Sequence, residues 1–247
     1  MGIFNAVFYQ PLYNLLIWFY EVLPFGGIGL AIIVLTIVIK GVLFPLTYKT
    51  LQGQKGMRDL QPKIKAIREK YKDDKEKQAQ ELMAVYKDNK VNPFASCLPL
   101  IVQLPIFFAL YRVLRDGLGE INMELLYAFI PNPGTIDAMW LGIDLAEVSI
   151  LLAVLAAAAQ YVQVKTTMAM KPPADVSGSS GAMDENMAAN MSKMMLYFMP
   201  AMTLIIGVTS LPGGLMLYWL ATTFITVLLY WIFVNEKKPW SKLLKKK

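Results

Sequence analysis

Residues 26–48 read GGIGLAIIVLTIVIKGVLFPLTY, an apolar run in which Lys40 is the only charged residue. A run of this length can cross the hydrocarbon core of a bilayer as a helix. A lysine at the centre of such a helix costs about 2.5–3.5 kcal/mol, so it is tolerated mainly where it faces protein or a wet cavity. The run therefore predicts a membrane-spanning helix whose single cation borders a polar hollow.

The composition of the chain is typical of an integral membrane protein. Its 247 residues are 56% hydrophobic and 17% charged, and the mean hydropathy is +0.44, which soluble domains of this size rarely reach. The chain has no histidine, which removes histidine-based nucleophilic catalysis and most zinc sites. We therefore expect no enzyme activity, catalytic residue, metal site or cofactor. The single cysteine, Cys97, excludes an internal disulfide.

Five apolar stretches approach or exceed spanning length, which predicts an all-α polytopic membrane protein with five transmembrane helices. The predicted spans are residues 26–48, 93–115, 145–168, 194–210 and 215–234. Residues 1–25 are also apolar, but polar residues such as Asn14 and Glu21 interrupt them. We interpret them as an uncleaved interfacial helix beginning near Pro11, with a sixth span as the alternative.

Lysine and arginine are distributed unevenly along the chain. Residues 49–90 carry twelve and residues 237–247 carry six, whereas residues 1–39 and 116–147 carry none. Because cytoplasmic segments carry the positive excess, the N-terminus is predicted to lie outside and the C-terminus inside. Anionic headgroups or the phosphates of RNA are two alternative partners for these charges.

The segments between the spans differ in character. Residues 49–92 form a predicted cytoplasmic helical hairpin, because apolar residues such as Ile64 and Ile67 recur every three or four positions. Within it, Asp73 and Asp74 at the turn can cap the second helix, and Pro62 is expected to kink or delay the first. The other connections are a predicted external loop at 116–144, a flexible cytoplasmic loop at 169–193, a tight external turn at 211–214 and a basic cytoplasmic tail at 235–247. The tight turn predicts that the fourth and fifth spans are antiparallel neighbours.

Thr36 and Lys40 stand one helical turn apart, so they are predicted to share one wet face of the first span. The alternative for Lys40 is snorkelling, with its ammonium reaching the cytoplasmic interface. On a straight helix Lys49 lies about 13 Å further along the axis, at 1.5 Å per residue. A lysine stem covers only part of that distance, so a polar cavity is favoured over snorkelling.

Several longer segments have a recognisable amino-acid sequence. They are KGVLFPLTYK from residue 40, LQPKIKAIREKY from 60, ELMAVYK from 81, VNPFASCLPLIVQLPIFFALY from 91 and LPGGLMLYW from 211. Together they resemble the conserved core of the YidC/Oxa family of membrane protein insertases, in the short form without a large external domain. The resemblance implies five helices around a hydrophilic groove, with a mobile cytoplasmic hairpin.

The resemblance also implies a set of substrate-binding residues. They are Lys40, Thr36, Gln103, Leu104, Phe107, Tyr218 and Trp219. Two of them depart from the family pattern, which usually has arginine in place of Lys40 and a tyrosine in place of Trp219. A lysine keeps the charge but loses the planar fork that pairs with a carboxylate in two places.

The function implied is that of an insertase and chaperone in the bacterial cytoplasmic, or inner, membrane, which acts alone or with the Sec translocon. Its expected partners are nascent membrane proteins and lipids, with the ribosome and the translocon as further candidates and no DNA. The alternative is a small-solute or anion transporter that uses Lys40 as a binding site. The absence of internal repeats weakens that alternative.

Overall fold

The computed structural model describes residues 2–23, 27–89, 91, 98–116, 118, 121–168 and 182–233. A π-helical turn at Asn5–Tyr9 precedes the first α-helix. The helices are α1 (Gln10–Val22), α2 (Gly27–Val42), α3 (Phe44–Asp59), α4 (Gln61–Lys70), α5 (Lys75–Asp88), α6 (Leu98–Asp116), α7 (Ile150–Met168), α8 (Ala182–Thr209) and α9 (Gly213–Phe233). The described residues are thus mostly helical, as predicted, and their only strands are β1 (Met139–Trp140) and β2 (Ile143–Asp144), which the sequence did not predict.

The first predicted span is bent rather than straight. α2 and the apolar part of α3 meet at an angle of 63°. Pro45, in the first turn of α3, has no N–H to donate to the carbonyl of Gly41, so the helix loses a hydrogen bond there. Because the bend follows Lys40 directly, the straight-helix distance to Lys49 does not apply.

Few helices among the described residues reach spanning length. By length and composition, α9 could cross a membrane. If the bent pair of α2 and α3 forms one span, the number of such spans is two. Shorter apolar helices run over Ile150–Thr166 and Leu196–Thr209. Residues 92–97 of the second predicted span, including Cys97, lie outside the described residues, as does the basic tail at 235–247. The five-span count stays a prediction.

The helix predicted to begin at residue 194 extends back to Ala182, into the segment predicted as a flexible loop. The turn-forming residues of that segment end at Gly181, and the sequence AMDENMAANM that follows is rich in alanine and methionine. These residues favour helix strongly. The predicted loop was too long because its glycine- and proline-rich part ends at Gly181.

α7 packs against both α8 and α9 and is the centre of the C-terminal half. Ala153, Ala156 and Ala157 are buried on it, and such small side chains let helices approach closely. α8 and α9 approach each other near their turn, where a Cβ on Gly207 would lie 2.7 Å from the sulfur of Met216. Beyond that point both pack mainly on α7, so the expectation that they are simple antiparallel neighbours was wrong.

The segment after α3 is a second helical pair. Pro62 lies in the first turn of α4, after a break at Leu60, and α4 packs against α5. Asp74 caps α5 by accepting a hydrogen bond of 3.1 Å from the backbone N–H of Lys77. The predicted cap and the predicted effect of the proline are confirmed, whereas the cytoplasmic location of this pair stays a prediction.

One end of the molecule is closed by α1 and the long loop that follows α6. Asn14 is 1% exposed and links the two, because its Nδ2 donates to the carbonyl of Leu125 and its Oδ1 accepts from the N–H of Tyr127. Tyr13 accepts a hydrogen bond at its hydroxyl from the N–H of Asn122. Farther along this loop, the ring of Trp140 packs against α2 at Gly29.

Candidate functional site

Three hydroxyl side chains form a stripe along α9. Tyr218, Thr222 and Thr226 are four residues apart and therefore lie on one face of the helix. The stripe extends about 12 Å along the helix axis, at 1.5 Å per residue. We call these three residues the hydroxyl stripe. It is the element around which the predicted site residues are arranged.

α6 meets the hydroxyl stripe at Tyr218. The amide of Gln103 donates a hydrogen bond to the hydroxyl of Tyr218, which is 3% exposed. One turn further along α6, Phe107 contacts Trp219 edge to face, with ring centroids 5.5 Å apart and an interplanar angle of 84°. The structure thus brings together four of the predicted residues at the contact between α6 and α9.

α2 meets the hydroxyl stripe at its other end. The ammonium of Lys40 donates to the hydroxyl of Thr226, with Nζ and Oγ1 separated by 3.3 Å. Thr226 in turn donates to the carbonyl of Thr222 at 2.7 Å. Among the described residues, the partner of this half-buried cation is a neutral hydroxyl rather than a carboxylate. The positive charge is therefore not cancelled by a neighbouring side chain.

Thr222 lies in the middle of the stripe. Its hydroxyl oxygen is buried and makes no hydrogen bond of good geometry to the described residues, but it lies beside the Tyr218 hydroxyl and interacts with it. A hydroxyl has one donor and two acceptor sites, so Thr222 keeps hydrogen-bonding capacity for water or a ligand group between the Gln103 contact and the Lys40 contact.

Thr36 lies one turn before Lys40 on α2. It is 0% exposed, and its hydroxyl donates to the carbonyl of Ile32 at 2.7 Å. A threonine inside a helix commonly bonds to the carbonyl four residues earlier. Thr36 and Lys40 share a side of α2, and the shared wet face stays a prediction.

Apolar side chains flank the site on its exposed sides. Leu104 is 46% exposed and continues along α6 with Ile101 and Phe108, which are also exposed. On α9 the exposed residues are Phe224, Leu228 and Trp231. They share a face of the helix that points away from the hydroxyl stripe. α9 therefore has a polar face, formed by the hydroxyl stripe, and an exposed apolar face on its other side.

The site is closed at one end and more open at the other. The first turn of α9 is buried, and the N–H groups of Gly213 and Gly214 donate to the carbonyls of Glu147 and Leu145 at 2.7 and 2.8 Å. From Trp219 onward most of the residues of α9 are partly or fully exposed. The Lys40 end of the stripe therefore lies toward the more open part of the molecule.

The described residues contain no group of three or more His, Cys, Asp or Glu side chains that could hold a metal ion. The arrangement offers hydrogen bonds and one positive charge, and these suit reversible contact with a polar chain. Thr222 and Thr226 were not selected from the sequence. Their spacing of four residues from each other and from Tyr218 was the signal that could have identified them.

The family model of the 60Kd inner membrane protein matches residues 18–240 of this chain. The chain belongs to this family. The resemblance to the YidC/Oxa insertases is confirmed by relatives that carry the name membrane protein insertase YidC. One of them, from Syntrophobacter fumaroxidans, is 36% identical over 90% of this chain and 37% of its own length.

Two further relatives show how the lengths compare within the family. The protein of Pelobacter propionicus is 34% identical over 90% of this chain and 37% of its own length. The protein of Fusobacterium nucleatum is 33% identical over 85% of this chain and 88% of its own length. The chain thus spans little more than a third of the first two relatives and most of the third. The matched region includes the entire hydroxyl stripe, Lys40 and Gln103.

Proposed function

We propose that this chain is a membrane protein insertase and chaperone that receives nascent membrane proteins in a hydrated groove and releases them sideways into lipid. The observation that carries this proposal is the hydroxyl stripe of α9, which has Gln103 at one end and Lys40 at the other. The names of the relatives support the same activity. They give no support to the transporter alternative.

The physical task of an insertase is to lower a desolvation barrier. Each backbone group that crosses bare hydrocarbon without a hydrogen-bond partner costs several kcal/mol. A stripe of hydroxyl groups and the water it holds can supply those partners over part of the bilayer thickness. The crossing segment then passes through less hydrocarbon before it folds into a helix.

Each predicted residue has a role in this proposal. Lys40 attracts an acidic segment of the substrate, because within the described part of the chain its ammonium bonds to the neutral hydroxyl of Thr226. Tyr218, Gln103 and Thr222 offer hydrogen bonds to a passing polar chain. Leu104, Phe107 and Trp219 receive the apolar part of the segment. Thr36, one turn before Lys40 on α2, is a further proposed substrate contact, although its side chain is buried in this structure.

The orientation in the membrane follows from the charge distribution. We propose that the chain lies in the bacterial inner membrane with its N-terminus outside, because residues 1–39 carry no lysine or arginine and residues 49–90 carry twelve. The end closed by α1 and the long loop then faces outward, and the Lys40 end faces the cytoplasm. The basic α4–α5 pair is placed to meet the ribosome, and the Sec translocon is a second proposed partner.

Photocrosslinking to a translating nascent chain tests the proposal. A photoreactive residue at Tyr218 or Lys40 is expected to crosslink to the substrate in proteoliposomes that lack the Sec translocon. Phe224 is the matched control, because it lies on α9 but is 67% exposed on the other side of the helix. Equal crosslinking from 218 and 224 would contradict a groove, and crosslinking only when the translocon is present would favour a chaperone role alone.

A further inference from the structure

The hairpin between β1 and β2 turns at a leucine. Leu141 and Gly142 both have positive φ, 51° and 79° respectively, and β1 pairs antiparallel with β2 across them. Two-residue turns with positive φ at both positions strongly prefer asparagine, aspartate or glycine. Gly142 satisfies this preference, whereas Leu141 holds a backbone conformation that its side chain disfavours.

The side chains at this hairpin tip point away from the protein. Leu141 is 81% exposed and Met139 is 51% exposed. In water, a polar residue at position 141 would suit both the turn and the exposure, so leucine is the poorer choice on both counts. Leucine at position 141 becomes favourable if the medium around the tip is apolar.

Trp140 fixes the position of the hairpin tip relative to α2. A Cβ on Gly29 would overlap the ring of Trp140, and one on Gly27 would lie 3.7 Å from it, so the ring packs against the first turn of α2. That turn is the beginning of the apolar run that is predicted to enter the membrane. Tryptophan is also enriched at the level of the headgroups. The tip therefore lies beside the start of the predicted first span.

The residues that follow the hairpin in the sequence are also apolar and exposed. α7 begins a few residues after the hairpin, and its first residues, Ile150 and Leu151, are 68% and 57% exposed. The carboxylates of Asp137 and Asp144 accept hydrogen bonds from the N–H groups of Met139 and Ala146, each at 2.9 Å. These charges are negative, so attraction to anionic headgroups cannot hold the tip at the membrane. Apolar burial must do so.

We propose that Leu141 and Met139 form a lipid anchor that inserts into the interfacial layer of the bilayer where α2 begins. In the proposed orientation this is the outer leaflet. The anchor holds the long loop against the lipid surface and so holds the closed end of the site at a fixed depth. It requires residence in a membrane but not insertase activity, so the two proposals can fail separately.

A fluorescent label that reports its environment tests the anchor in the full-length chain. In a Cys97→Ser background, Leu141→Cys and the control Thr135→Cys carry the same label in phosphatidylcholine proteoliposomes. Thr135 is an exposed polar residue of the same loop. The label at 141 is expected to emit at shorter wavelength, to be quenched by lipids with a quencher high on the acyl chain, and to be severalfold less accessible to aqueous iodide than the label at 135.

Three outcomes would overturn the anchor. Equal iodide quenching at 141 and 135, without quenching by the lipid-borne group, would place the tip in water. Protection at 141 from both quenchers would mean that protein covers it, either a second copy or another partner. Shielding that appears only when phosphatidylglycerol is added would also overturn it, because the proposed contact is apolar rather than ionic.

A second variant keeps the test independent of the label at 141. Leu141→Asn suits the turn and removes the apolar tip. With the label moved to a cysteine at Met139, this variant is expected to increase iodide quenching at 139 severalfold over the protein with Leu141. Unchanged quenching at 139 would show that Leu141 does not hold the tip in lipid.

Discussion

At the residue scale, the charge of Lys40 is distinctive because its partner is a neutral hydroxyl. A carboxylate partner would have fixed the ammonium and cancelled its field, whereas the hydroxyl of Thr226 at 3.3 Å leaves the positive charge available. The geometry needs only a point charge, since one contact to one oxygen does not use the planar fork of arginine. A lysine in place of the usual arginine is consistent with this arrangement.

Substitutions at Lys40 test the charge directly. Lys40→Arg should insert substrates with acidic tails about as well as the unchanged protein, because the charge remains. Lys40→Ala should be slower by roughly tenfold, since a contact between opposite charges in a wet site contributes about 1–2 kcal/mol. Lys40→Glu should be slower still because it repels the tail. The measurement is the rate of insertion into proteoliposomes, with a neutral-tailed substrate as the control.

Equal rates for the arginine, alanine and glutamate variants would refute attraction by charge. A loss that is the same for acidic-tailed and neutral-tailed substrates would instead indicate that Lys40 holds α2 against α9. The comparison between substrates separates these roles, because a structural defect does not depend on the charge of the tail.

Sequence alone identified Lys40 as a special residue but not its surroundings. A single cation in an apolar run is visible in the sequence, and its cost is known. The pairing of Gln103 with Tyr218 joins residues 115 positions apart and had to come from the family resemblance or from the structure. The burial of Thr36 could not be predicted either, because a one-turn spacing shows which side of the helix a residue lies on and not what packs over it.

At the element scale, two of the three glycines of α2 have opposite surroundings. A Cβ on Gly29 would overlap the Trp140 ring, whereas a Cβ on Gly41 would meet nothing within 4 Å. We expect Gly29→Ala to lower the free energy of unfolding in detergent by about 1–3 kcal/mol, because the rigid ring must move. Gly41→Ala should leave it unchanged or raise it by up to about 1 kcal/mol, since alanine favours helix over glycine.

Equilibrium unfolding of the two glycine variants, followed by circular dichroism in mixed micelles, makes this comparison. If both variants are equally stable, Trp140 does not pack against α2 in solution. In that case the inferred position of the hairpin tip beside the start of α2 would also be wrong.

Asn14 connects α1 to the long loop and is the second element-scale test. Asn14→Leu removes a donor to the carbonyl of Leu125 and the acceptor for the N–H of Tyr127. This leaves the N–H of Tyr127 unpaired and the Leu125 carbonyl with only the longer bond from Gln10, which should destabilise the protein by about 1–3 kcal/mol. Gln10→Ala is the control, because Gln10 donates only a weaker bond of 3.2 Å to the same Leu125 carbonyl, and it should cost less than about 1 kcal/mol.

Limited proteolysis locates the effect of the Asn14 substitution. Cleavage should increase within residues 121–130 for Asn14→Leu and should change little for Gln10→Ala. Faster cleavage distributed evenly along the chain would mean that Asn14 supports the whole fold and not this loop in particular.

Helix positions were predicted better than helix shapes and partners. The apolar runs located α2, α7 and α9 well, because hydropathy reports on every residue of a long segment. The bend before Pro45 follows from the missing N–H of proline, yet its angle depends on how α3 packs against the end of α9. That α8 and α9 both pack on α7 depends on which faces interlock, and apolar composition does not encode this choice.

At the scale of the whole molecule, α2, α6 and α9 form a site with a closed end and an open end. Residues at the start of α9, such as Leu215, are 0% exposed and lie under the long loop. Farther along the same helix, Thr226 is partly exposed and faces Lys40. If the open end holds water, access to a water-soluble reagent should follow this gradient and not the exposed area of each residue.

Cysteine labelling with a membrane-impermeant maleimide tests the gradient in proteoliposomes, again in a Cys97→Ser background. Thr226→Cys should react, because the thiolate that attacks the reagent forms only in water. Leu215→Cys should not react, because it is buried at the closed end. Phe224→Cys should also be slow, although Phe224 is 67% exposed, because it faces lipid where the thiol stays protonated.

The contrast between 226 and 224 is the decisive part of this labelling experiment, because the two positions lie on opposite sides of one helix at nearly the same depth. Both should react fully once the protein is unfolded in dodecyl sulfate, which controls for the reactivity of each thiol. Faster labelling at 224 than at 226 would mean that the hydroxyl stripe is dry, and a dry stripe could not lower the barrier for a polar chain. Labelling at 226 alone would establish a water-filled face of α9 beside a lipid-filled one, which is the condition that lateral release into the bilayer requires.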